Sequence, residues 1–203
     1  MEGNSVIAKI LTWSDPTFGL SAIEKDLVVS ITQVISVINQ MEADGVVDRY
    51  AIGGAVGATF YMEPVATLDV DVFVGFKAQP GQVLVNPRPI FDYLTARGGV
   101  VEGEYIVLAG WPVQFLPLTS PLMEEALAEA VIVDVEGTPA RVFTAEHLAA
   151  IALQTGRAKD KARLLQFIEA GGLEAKRFQA ILARHSLVDR WREFERNFLQ
   201  PGT

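Results

Sequence analysis

Apolar positions along the chain repeat first with a helical period. Over 21–44, Ile23, Leu27, Ile31, Val34, Ile35, Ile38 and Met41 recur at three- and four-residue intervals, which puts them on one face of an amphipathic helix. Ser21 is placed to cap that helix and Gly45 to stop it. A short strand is expected over 48–52, ending in Gly53-Gly54, and a short helix over 55–62 that Pro64 breaks. The period then changes to two. Between 68 and 76, Leu68, Val70, Val72 and Val74 fall on one side, and Asp69, Asp71 and Phe73 on the other. This is a strand that presents two carboxylates to the same face.

The Pro-, Gly- and Gln-rich stretch 76–88 reads as a loop, and 89–97 as a short helix closed by Gly98-Gly99. Residues 100–108 and 111–116 suit a hairpin turning at Ala109-Gly110, with Pro112 placing the second strand at a sheet edge. A helix at 122–130 and a second hairpin, 131–135 with 140–143 around Glu136-Gly137, complete the mixed part. From Thr144, with Glu146 and His147 in a capped first turn, the pattern is helical throughout, at 144–155, 158–170, 174–185 and 187–199. The fold class is therefore α+β. A mixed αβ domain spans 1–143, and a C-terminal helical tail packed on it spans 144–203.

Composition narrows the chemistry. A 203-residue chain that is half apolar can bury a sizeable core. It lacks both an uncharged run of the roughly 18–20 residues that span a membrane and a leader-like N-terminus, which predicts a soluble, cytoplasmic protein without a membrane partner. The absence of cysteine excludes thiolate metal sites and cysteine nucleophiles. The two histidines, His147 and His185, are far apart, so a metal would be held by carboxylates, which suits Mg2+ or Mn2+. The net charge of −8 argues against nonspecific coating of nucleic acid. That charge is unevenly spread: residues 1–156 carry 7 basic and 19 acidic side chains, and 157–203 carry 10 basic and 6 acidic. A polyanion would be met by the tail.

Asp69 and Asp71, two like charges on one strand face, call for a compensating cation. Gly53-Gly54 alone reads as a tight turn. Preceding such a strand and opening a helix, the pair also reads as a phosphate cradle, because glycine lets backbone N–H groups approach an anion. Metal at one end and phosphate at the other describe a bound nucleoside triphosphate.

The segment GGAVGATFYMEPVATLDVDVF resembles the nucleotidyltransferase superfamily with the polymerase-β-like fold, whose signature is a Gly-Gly or Gly-Ser turn followed by an Asp-x-Asp or Asp-x-Glu strand. It is most similar to the abortive-infection type toxins and uncharacterised bacterial relatives, with the 14 residues between Gly54 and Asp69 at the long end of their spacing. The resemblance implies a nucleotidyltransferase-like mixed sheet flanked by helices. It also implies Mg2+ or Mn2+ on Asp69 and Asp71, NTP as substrate, β- and γ-phosphates at Gly53 and Gly54, and RNA, protein or a small molecule as acceptor. A second segment, Gly156-Arg-Ala-Lys-Asp-Lys-Ala-Arg163, is similar to one that enters a helix in many members. By position, Lys159 would contact phosphate, and Asp160 would bind the acceptor or act as a base; a solvated helix start is the plainer reading of both.

Two features depart from the pattern. The third carboxylate that the superfamily takes from a later strand falls here on Gln114, and no arginine stands between the glycines and the aspartates. These departures keep open a nucleotide-binding or regulatory module, one half of a toxin–antitoxin pair, beside the enzyme; an oligomeric scaffold would leave the paired acids unexplained. Glu63 and Glu104 are further acids whose position the sequence leaves open. Trp13, Trp111 and Trp191 read as packing residues, His147 as a capping or solvated side chain, and Arg177, Arg184, Arg190, Arg192 and Arg196 as a solvated helical face.

Overall fold

The computed structural model describes residues 22–63, 67, 69–76 and 86–199, the side chains of 22–30 excepted. Trp13, Ser21, Pro64, Leu68 and most of the expected loop at 76–88 lie outside them, as do the side chains of Ile23 and Leu27. In chain order the elements are α1 (Ala22–Ala43), β1 (Arg49–Ile52), α2 (Gly54–Ala58), β2 (Val70–Gly75), α3 (Arg88–Thr95), β3 (Val100–Glu102), β4 (Tyr105–Leu108), β5 (Trp111–Pro117), α4 (Pro121–Ala128), β6 (Val131–Val135), β7 (Thr138–Val142), α5 (Ala145–Thr155), α6 (Ala158–Glu169), α7 (Ala175–Arg184) and α8 (Val188–Phe194), the last running into a π-helical turn at Glu195–Leu199.

The seven strands form one mixed sheet in the order β3-β4-β5-β2-β1-β7-β6. β2 lies at its centre, antiparallel to β1 and parallel to β5. The alternation read from the sequence decides which side of β2 faces which layer. Val70, Val72 and Val74 pack with Ile31, Val34, Ile35 and Ile38 of α1 and Ile90 and Leu94 of α3. Phe73 faces the opposite way, where Phe143, Leu148, Leu164, Phe167, Phe178 and Trp191 build a second core from the helical tail. Two helical layers thus sandwich the sheet.

Several expectations are corrected. The strand expected over 100–108 is two strands, β3 and β4, joined at Gly103-Glu104 with Glu102 paired to Tyr105. Gly103, at φ +64°, supplies the left-handed backbone this turn requires. β5 is not an edge strand, since β4 and β2 flank it. Pro112 is tolerated because β2 first pairs at Val113, so β5 is an edge locally at the proline. α2 is shorter than expected: two of its five residues are glycine, and Thr59 turns its hydroxyl back on Val56 O at 2.7 Å.

Of the tail arginines, Arg184, Arg190, Arg192 and Arg196 are exposed, as expected of a solvated face, and Arg177 is half-buried; several also pair with acids or carbonyls. Arg177 meets Glu129 at 2.8 Å and Glu146 at 3.8 Å, Arg184 meets Glu125 at 2.5 Å, Arg190 donates to Gln154 O at 2.5 Å and Arg192 meets Asp189 at 3.1 Å. His147 is not solvated. It is fully buried, with Nδ1 2.9 Å from the Thr144 hydroxyl and Nε2 3.3 Å from Glu125 Oε1. Burial lowers its pKa foremost, so the neutral ring accepts at Nδ1 and donates from Nε2. Trp111 and Trp191 are buried, as packing residues would be. None of the described helices is long and apolar enough to cross a membrane.

Candidate functional site

β1 ends at Ile52, and the chain turns through Gly53 and Gly54 into the single turn of α2. Gly53 N–H donates to Asp71 O at 2.9 Å, tying the turn to β2, and Gly53 O accepts from Gly57 N–H at 2.7 Å, opening the helix. Gly54 takes φ +57°. A β-carbon there would overlap Asp71 Oδ2 and stand 2.7 Å from Asp71 Cγ. The glycine is therefore required twice, for its left-handed backbone and for the carboxylate lying over it. A β-carbon on Gly53 would stand 2.6 Å from Phe73 Cε2 and 3.2 Å from Phe143 Cδ2, a close-packed aromatic pair.

Asp71 is the second residue of β2, and Asp69 immediately precedes the strand, which begins at Val70 rather than at the expected 68. Thr67 Oγ1 donates to Asp69 Oδ1 at 2.9 Å. Burial, followed by the Asp69 charge, pushes the Asp71 carboxyl above its usual range, while Arg163, Lys159 and Arg157 pull it down. The start of α6, on the helical side of the sheet, thus lies within electrostatic reach of the acids of β2. Gly53 and Gly54 are in contact with Asp71, Asp69 stands two residues before it, and the charge of the exposed Lys159 reaches it.

Asp160 sits differently. Its carboxylate is buried and held by Arg157, with Nε at 2.6 Å and Nη2 at 3.3 Å, and more distantly by Arg163 Nη1 at 3.9 Å. Arg157 and Arg163 were not singled out in the sequence, although they stand three residues either side of Asp160, a helical-neighbour spacing.

Gln114 is the register partner of Asp71 on the adjoining strand, and so lies beside it on the same face. Its amide Nε2 donates to Glu104 Oε2 at 2.8 Å. The Gly103-Glu104 turn, hidden from the sequence reading, thereby fixes the position of Glu104. Tyr105, next in the chain, has its phenol pushed up by partial desolvation first and then by the charges of Asp69, Glu104 and Asp71, which all reach it.

A second set of donors, Glu125, Glu129 and His147, has its ligand atoms within 4.8 Å of one another. Glu125 already receives Arg184, His185 at 2.8 Å and His147. These contacts, Arg184 foremost, bring its carboxyl down to about 2. With a guanidinium in place, this cluster is an ion-pair clasp between α4, α5 and α7.

No protein-family model and no curated protein sequence matches the chain. Solved structures do. The chain aligns with the antigenic nucleotidyltransferase-like protein from Paracoccidioides brasiliensis at 17% identity and TM-score 0.45, over 77% of this chain and 87% of that one. It aligns with the complex of ANT(2'')-Ia with adenylyl-2''-tobramycin at 15% and 0.48, over 81% and 98%. With the solution structure of the antibiotic-resistance factor ANT(2'')-Ia the values are 16% and 0.50, over 85% of this chain and 97% of that chain. The chain thus carries an α+β fold of the nucleotidyltransferase-like kind, a mixed sheet flanked by helices.

Proposed function

We propose that the protein transfers a nucleoside monophosphate from an NTP to an acceptor hydroxyl with the help of Mg2+ or Mn2+. The observation that carries this reading is the convergence on Asp71: its carboxylate lies over Gly54, the charge of Asp69 two residues before it raises its pKa, and the charges of Arg163, Lys159 and Arg157 reach it from the start of α6. Oxygen donors that repel one another fit a hard divalent cation, and nearby cations fit the triphosphate such an ion accompanies. Asp69 and Asp71 would hold the metal, which supplies charge neutralisation for the triphosphate and the departing pyrophosphate.

The chain's own residues would then position the substrate. Lys159 and Arg163 offer positive charge to the phosphates. Asp160, committed to Arg157, acts in this reading by holding the arginines rather than by taking a proton. Gly54 keeps a side chain out of the space that Asp71 fills, and Gly53 keeps one off the Phe73–Phe143 pair. Residues 1–143 would form the catalytic αβ unit, and 144–203 the helical region that brings Lys159 over it. Four of the five arginines named in the tail are engaged with Glu125, Glu129, Gln154 and Asp189, which favours a small-molecule or protein hydroxyl over RNA as acceptor.

The test supplies α-labelled NTPs and Mg2+ with separate pools of small molecules, protein and RNA. Label should enter one pool and be lost on chelation and in Asp71→Asn. Metal-dependent nucleotide binding without label in any pool would instead support a regulatory, non-transferring module.

A further inference from the structure

We propose that Glu104, oriented by Gln114, is the catalytic base that accepts the proton of the acceptor hydroxyl. The inference rests on the nucleotidyl-transfer reading above and assigns a residue which that reading leaves open.

The strand beside β2 carries a glutamine where a carboxylate would adjoin Asp71. An amide has no basic oxygen to take a proton at neutral pH, but it can donate a hydrogen bond. Gln114 does so to Glu104 Oε2 at 2.8 Å. Because Gln114 is also the register partner of Asp71, one residue links β2 through its backbone to the turn that bears Glu104 through its side chain. The β3–β4 hairpin presents Glu104 here: Gly103 at φ +64° makes the tight turn, and β4 pairs with β5 through Ile106 and Val113. The Tyr105 phenol lies within reach of the charges of Asp69, Asp71 and Glu104 together.

Geometry separates base from ligand. β4 stands two strands from β2, about 9–10 Å at the backbone given roughly 4.7–4.9 Å per strand. Glu104, on the turn that leads into β4, therefore lies beyond Gln114, one strand farther from Asp71 than a carboxylate on β5 would be. It is also exposed, so an incoming hydroxyl can reach it. In the step, the acceptor oxygen forms a bond to the α-phosphorus and its proton passes to the Glu104 carboxylate. The bond from the α-phosphorus to the bridging oxygen breaks, and pyrophosphate leaves with that electron pair. Gln114 is a positioning residue, its amide fixing the carboxylate that takes the proton.

The experiment measures transfer from ATP into the acceptor pool and, separately, Mn2+ and Mn2+·ATP affinity by calorimetry. Glu104→Gln should lower the transfer rate about 10²–10⁴-fold, the usual contribution of a positioned base, with both affinities within about threefold of wild type. Glu104→Gln should also flatten the acidic limb of the pH profile of transfer, which a merely structural role for Glu104 would leave in place. Wild-type transfer by Glu104→Gln, alongside loss in Asp71→Asn, would overturn the assignment of Glu104 and leave the proposed function standing. A tenfold loss of Mn2+ affinity in Glu104→Gln would overturn it in favour of a metal ligand. A wild-type protein that binds Mn2+·ATP and transfers nothing would overturn both.

Discussion

Gly54→Ala probes the contact on which the site is built. The substitution carries two separable costs. Alanine at φ +57° pays the left-handed penalty of about 1–2 kcal/mol. Its β-carbon also takes the volume of the Asp71 carboxylate, so Asp71 must leave its rotamer at about 0.5–1.5 kcal/mol. Together these give about 1.5–3.5 kcal/mol, a fall in Tm of roughly 3–14 °C for a chain of this size. Gly171→Ala is the control, since Gly171 has φ +64° and nothing within 4 Å of the added carbon; it should show the backbone cost alone. Displacing Asp71 should also weaken Mn2+ binding at least about tenfold, or about 1.4 kcal/mol, whereas Gly171→Ala should leave it unchanged. Thermal melts and Mn2+ calorimetry on both variants give the comparison. If Gly54→Ala melts with Gly171→Ala and binds Mn2+ like wild type, the packing of Asp71 on Gly54 is not what shapes the site.

Three further outcomes are expected. Asp160→Asn frees Arg157 and Arg163 and should raise KM for the nucleotide more than it lowers kcat; collapse of kcat at unchanged KM would make Asp160 the base instead. Tyr61→Phe removes a buried hydroxyl without a hydrogen-bond partner among the described residues, so it should be neutral or stabilise by about 1 kcal/mol; a clear drop in Tm would mean that the hydroxyl has a partner. The clasp should fail in acid. His147, with its folded pKa lowered, loses stability as pH falls below about 6.5, and Glu125, also lowered, loses more from about 4.5 towards about 2. Urea melts at pH 7, 5.5 and 4 should show falling stability, with a smaller fall from pH 5.5 to 4 in Glu125→Gln, and equal slopes would refute this account.

Much of the central strand was legible because a period of two maps directly onto two faces. The alternation at 68–76 separated Val70, Val72 and Val74 from Asp71 and Phe73, and the structure puts these sets against different helical layers. Lys159 could be placed near the acids only through resemblance, since nothing local tells a helix start which strand it will face. The Gly103-Glu104 turn was missed because β3 and β4 read as one apolar run, and with it went the position of Glu104. Pro112 misled because being an edge is a property of each residue pair rather than of a whole strand. The ion pairs of Arg177 and Arg184 stayed hidden because their partners, Glu129 just past the end of α4 and Glu125 on it, lie about 50 to 60 residues away.

The central claim is nucleotidyl rather than phosphoryl transfer at Asp69 and Asp71. The direct measurement is a paired reaction with ATP labelled at the α- or the γ-phosphorus, Mg2+ and the acceptor pool. The account predicts α-label in the acceptor and γ-label in pyrophosphate, both abolished by Asp71→Asn. Label from the γ-position in the acceptor, or α-label transfer that survives Asp71→Asn, would contradict it.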